Sequence, residues 1–104
     1  MKASELAQRI KSNNAPLIID ARSRMEFNSG HIPGAIHAPV LRILLKKAQL
    51  PGDRNTEGVI TCEHGPRALM AKCLLATYGY RNTTLLDGHM LGWRRAGLPL
   101  EKQP

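Results

Sequence analysis

Residues 58–79 constrain the fold of this chain more tightly than any other stretch. Gly58, Val59, Ile60 and Thr61 form a short β-rich apolar run, and residues 67–79 have the composition of a helix that Gly79 can close at its C′ position. Between them stands Cys62-Glu63-His64-Gly65-Pro66-Arg67, a tight connection marked by glycine and proline. Strand, turn and helix in this order place a thiol at a helix N-terminus. The first-turn N–H groups there lack intrahelical partners and carry the positive end of the helix dipole. Such a site collects anions and lowers a thiol pKa from its free value of about 8.5. A cysteine so placed is suited to react rather than to pack.

The rest of the chain alternates in the same way. Ser4 is expected to cap a helix over residues 5–11, with Leu6 and Ile10 on one face and Asn13, Asn14 and Pro16 ending it. Residues 17–21 (LIIDA) are a continuous apolar run broken only by Asp20, the pattern of a strand buried on both faces. The polar stretch 22–29 has room for one helical turn around Met25 and Phe27. Residues 30–39, with two glycines and two prolines, predict turns around a very short strand at 35–37. Residues 40–50 are apolar at 40, 41, 43, 44, 45, 48 and 50 and predict a helix stopped by Pro51, Gly52 and Asp53. A last strand is expected at 83–86, a last helix at 89–96, and a polar tail at 101–104. Strands alternating with helices predict an α/β fold, a mainly parallel central sheet with helices on both faces. In such sheets ligands gather at the carboxyl ends of strands, where Cys62 lies.

Composition narrows the function classes. The 104 residues, 42% of them hydrophobic, suffice for a single domain spanning 1–104. No apolar run approaches the roughly 20 residues that cross a bilayer. Residues 1–14 lack the apolar core of a signal peptide, so no membrane association is expected and the cytoplasm is the expected compartment. The two cysteines, Cys62 and Cys73, form no disulfide framework. A net charge of +7 fits an anionic substrate or partner as well as plain solubility. Aromatic residues are only 4% and are not interleaved with the basic ones, which argues against a nucleic-acid stacking platform.

Three segments together resemble the single-domain rhodanese (thiosulfate sulfurtransferase-like) family, and they span nearly the whole chain. Residues 17–39, LIIDARSRMEFNSGHIPGAIHAP, are similar to the family's Asp-x-Arg, Glu-Phe and Gly-His-Ile-Pro-Gly-Ala pattern. CEHGPRA at 62–68 resembles its Cys-x-x-Gly-x-Arg active loop, and LLDGHMLGWRRAGLP at 85–99 its C-terminal signature. The resemblance implies a rhodanese-like α/β fold with the cysteine at the floor of a shallow pocket. It implies a sulfurtransferase in which Cys62 accepts a sulfane sulfur as a persulfide and hands it to a thiophile. Small sulfur donors, a thiol or cyanide acceptor and a sulfur-relay protein are the implied partners. No metal and no organic cofactor is implied.

Each loop residue then has an expected part. The backbone N–H groups of Glu63, His64, Gly65, Arg67 and Ala68 are candidates for cradling the sulfur anion, while Pro66 has none and stiffens the first helical turn. Arg67 is a candidate for holding the donor's oxyanion over the pocket, with an ion pair across the first helical turn as the alternative. Glu63 departs from the family pattern: a carboxylate beside the nucleophile opposes an anionic donor. Its side chain and that of His64 are expected to face outward, with proton shuttling by His64 as the alternative. His89 stands where the family pattern has a second glycine, and is expected to alter that turn or to put an imidazole at the pocket rim. Asp20, Arg22, Glu26 and His31 are expected to be structural, Cys73 to pack in the core, and Trp93 to lie under the last helix.

Other classes compete. A non-catalytic rhodanese-like binding module shares the fold, and a carrier serving one partner, as in tRNA thiolation or cluster assembly, shares the chemistry. A cysteine phosphatase or arsenate reductase needs five residues between cysteine and arginine; here position 68 is alanine and the arginine comes one residue early.

Overall fold

The computed structural model describes residues 1–102, so the last two residues of the expected polar tail lie outside the described residues. The elements are α1 (Ala3–Lys11), β1 (Leu17–Asp20), α2 (Arg24–Ser29), β2 (Ile36–His37), α3 (Val40–Leu44), β3 (Gly58–Thr61), α4 (Pro66–Thr77), β4 (Thr83–Leu85) and α5 (His89–Arg95). The four strands form one parallel sheet in the order β2-β1-β3-β4. Asp20 is in register with Thr61, so the carboxyl ends of β1 and β3 lie side by side. The chain leaves β1 for one edge and returns past it to β3, which makes this junction the crevice of the sheet.

The apolar runs of β1 and β3 lack alternation because both faces are covered. Ile19 and Ile60 pack with Ile43 of α3 and Ala68, Ala71 and Leu75 of α4. Ile18 and Val59, their neighbours along the strands, pack with Leu6 of α1 and Met90 and Trp93 of α5. Trp93 is buried under α5 as expected, and its indole N–H donates to the Pro99 carbonyl at 2.8 Å. No described helix is long and apolar enough to cross a membrane.

Three expectations are corrected. The first helix begins at Ala3 with Lys2 as N-cap, so Ser4 lies inside it and caps nothing. The helix expected over 40–50 stops at Leu44, because a Schellman closure (Lys47 N–H to the Arg42 carbonyl at 2.8 Å, Lys46 N–H to that of Ile43 at 3.0 Å) ends it with Lys46 at φ 58°. Cys73 is exposed rather than packed, since the buried stripe of α4 is Ala68, Ala71 and Leu75 and turns Leu69, Met70 and Cys73 outward.

Candidate active site

Cys62 follows β3 directly, and its loop is held from three sides. From below, the first-turn N–H groups of α5 donate to loop carbonyls: Met90 to Cys62 at 3.0 Å and Leu91 to Glu63 at 3.3 Å. These α5 donors have no intrahelical partner, so the loop satisfies them. A trans peptide points its N–H opposite to its C=O, so the amides of Glu63 and His64 are turned away from α5. Gly65 then bends the chain at φ 135° into α4, with Pro66 at the first helical position. Its N–H donates to the Cys62 sulfur at 2.9 Å.

Glu63 is the second hold. Its carboxylate pairs with Arg94 of α5 and with Arg22 at 3.5 Å, and its side chain is 17% exposed. Arg22 is itself buried on Asp20, through Nη2 at 2.9 Å and Nε at 3.0 Å, and donates to the Gly30 carbonyl at 2.7 Å. A chain of alternating charges, Asp20–Arg22–Glu63–Arg94, thus runs from β1 through the loop to α5. The Arg94 hydrogen bond, helped by the charges of Arg94, Arg22 and His64, holds the Glu63 carboxyl below its ordinary range. The expected outward Glu63 is corrected: it faces inward because two arginines compensate its charge. His64 is exposed, as expected.

Arg67 is the third hold. Its guanidinium grips Glu26 of α2 in a two-point pair at 2.6 and 3.0 Å, well away from its own helical turn. The alternative expected from sequence, a pair across its own first turn, gives way to this tie, because α2 presents a carboxylate already oriented by a capping box with Ser23. The Arg67 hydrogen bond pulls the Glu26 carboxyl down to about 2. His31 stacks on Phe27 with ring centroids 3.8 Å apart and hydrogen-bonds the Phe27 carbonyl at 2.8 Å, a structural part as expected. Ala68 is buried in the core below the loop.

Cys62 is 0% exposed, so the floor of the expected shallow pocket is covered. His89 Nδ1 accepts the Cys62 backbone N–H at 3.3 Å, and the imidazole lies against Gly65, where an added Cβ would meet Nε2 at 3.3 Å. His89 therefore sits behind the Cys62 amide rather than at a rim. Sequence reasoning named His89 but not its bond to the Cys62 amide, and it missed the Arg94 partner of Glu63, because both depend on α5 docking against the loop.

A parallel sheet with a cysteine-headed loop at the carboxyl end of a central strand, braced by ion pairs, defines a rhodanese-type α/β domain. Residues 2–96 match the family model of the rhodanese-like domain, and the chain belongs to that family. It is 33% identical over 98 residues to a protein named sulfurtransferase from Allochromatium vinosum, covering 94% of this chain and 90% of that one. It is 35% identical over 101 residues to an HTH-type transcriptional regulator of Mycobacterium tuberculosis, covering 95% of this chain but 43% of the regulator. Among solved structures, a human single-domain sulfurtransferase superposes with a TM-score of 0.76 at 28% identity, covering 91% of this chain and 94% of that one.

Proposed function

We propose that this protein is a sulfurtransferase that moves a sulfane sulfur from a donor such as thiosulfate to cyanide or a thiol through a persulfide on Cys62. The observation that carries the reading is the Gly65 N–H aimed at the Cys62 sulfur at 2.9 Å from the N-terminus of α4. A donor so placed stabilises a sulfur anion, which is the form that attacks and the form that a persulfide takes near neutral pH. The family membership and the names of its relatives support the same chemistry.

In the first step the Cys62 thiolate attacks the outer sulfur of thiosulfate. A sulfur–sulfur bond to Cys62 forms, the bond within thiosulfate breaks, and sulfite leaves with the electron pair. In the second step cyanide or a thiolate attacks the terminal sulfur and the Cys62 thiolate departs. The amides of Glu63, His64, Gly65, Arg67 and Ala68 are assigned to the persulfide cradle. Entry of the donor requires the outer loop, where His64 is exposed, to swing off the buried thiol. A phosphatase is disfavoured: the guanidinium it would need over the cysteine is bound to Glu26 instead.

Intact-mass spectrometry after incubation with thiosulfate or a persulfide donor tests the reading. Wild type is expected to gain one sulfur atom, removable by cyanide or a thiol, and Cys62→Ser to gain none. A wild type that takes no sulfur from any donor would identify a binding module instead.

A further inference from the structure

Residue 89 has a backbone conformation that calls for an explanation. His89 lies at φ 50°, directly after Gly88 at φ 75°. Among the described residues, the other two non-glycine residues with positive φ, Asn13 and Lys46, follow helix ends, where a left-handed residue closes the last turn. His89 instead opens α5, where no such closure exists, and a side chain there is strained. Strain of this kind persists where the surroundings fix it, and its use is read from what the side chain touches.

The imidazole touches the nucleophile's backbone. Nδ1 accepts the Cys62 N–H at 3.3 Å, so the proton of the neutral ring is on Nε2, beside Gly65. One ring therefore hydrogen-bonds the residue that carries the thiol and fills the space where a side chain at Gly65, whose N–H caps the sulfur, would stand. Asp87 on the β4–α5 turn and Cys62 and His64 on the loop are the titratable groups that face it. Glu63 is turned onto Arg22 and Arg94, and Asp87 is paired at 3.8 Å with the N-terminal ammonium of Met1.

We infer that His89 is a positioning residue that latches the Cys62 loop shut when its imidazole is neutral and releases it when the imidazole is protonated. The inference takes from the sulfurtransfer reading only that Cys62 is the reactive thiol. Protonation puts a hydrogen on Nδ1, so two donors then face each other and the bond to the Cys62 amide is lost. The proton comes from solvent and no covalent bond changes. Burial pushes the imidazole below its ordinary value of 6.5, opposed by Asp87 and reinforced by His64. The closed loop thus prefers the neutral ring. It loses stability as pH falls below the ordinary value, until the closed form itself takes up the proton.

The test is the rate of Cys62 alkylation by iodoacetamide from about pH 5 to 8, resolved by peptide mass spectrometry so that exposed Cys73 is counted apart. His89→Asn keeps an acceptor, tolerates the left-handed backbone and does not titrate, so its pH dependence is that of the thiol alone. The wild-type rate relative to that of His89→Asn is expected to rise about threefold or more as pH falls from about 7.5 to 5.5, because loop opening rises as the imidazole takes up its proton. His89→Gly removes the acceptor and is expected to react about tenfold faster than wild type at pH 7.5, with the pH dependence of His89→Asn. Wild type and His89→Asn with identical pH dependence, or His89→Gly no faster than wild type, would overturn the latch. A Cys62 that alkylates as described yet forms no persulfide would leave the latch standing and remove the sulfurtransfer reading.

Discussion

Glu63 is the residue at which the sequence and the folded site part furthest. Beside the thiolate that the proposed reaction needs, a carboxylate is a liability, yet here it is shared by Arg22 and Arg94 and ties the loop to α5. The pair of guanidiniums sets a local balance that mutation can tip either way. Glu63→Gln leaves both arginines without their carboxylate and is expected to raise kcat/KM for thiosulfate about threefold to tenfold. Arg94→Ala is expected to lower it by a similar factor, each equivalent to about 1 kcal/mol. Steady-state kinetics with thiosulfate checks both, and equal values for the two variants would contradict this charge account. The liability was legible from Glu63 alone. Its compensation was not, because Arg94 is 31 residues away and no local pattern joins them.

Among the elements, α2 and α4 are tied by one carboxylate with two tasks. Glu26 completes the capping box of α2 and holds Arg67 at the start of α4. Its carboxyl lies at about 2 in the folded protein against an ordinary 4.5. A depressed carboxyl stabilises the fold above the ordinary value, and that contribution is lost as pH falls from about 4.5 towards 2. Both side chains are partly exposed, so solvent screening keeps the contribution near 1 kcal/mol. Glu26→Gln is expected to cost about that much at pH 7 and to match wild type near pH 2. Urea unfolding across this range measures the difference, and a gap that does not shrink in acid would refute the assignment. The existence of the elements was readable from their apolar patterns. Their ends were less so: in α3, Leu44 and Leu45 extend the apolar pattern but are about half exposed, and the chain closes the helix through Lys46 instead.

For the whole molecule, the net charge of +7 acts at a distance that no single pair does. Screening shortens that reach to about 10 Å at 0.1 M salt and about 3 Å at 1 M. Capture of thiosulfate is therefore expected to weaken several-fold as salt is raised across this range, while transfer from an uncharged donor changes little. Parallel assays with the two donors decide it, and an equal response would show that the charge serves solubility alone. By itself the sequence determined the parallel, doubly covered sheet and the place of Cys62 at a strand end, because apolar runs, turn formers and helix patterns are local signals. Only the tertiary structure decided that the thiol is shut in, that Arg67 belongs to Glu26, and that His89 holds the Cys62 amide. Those outcomes join residues 27 to 41 positions apart, and the strand order with the docking of α5, rather than any neighbouring residue, brings them into contact.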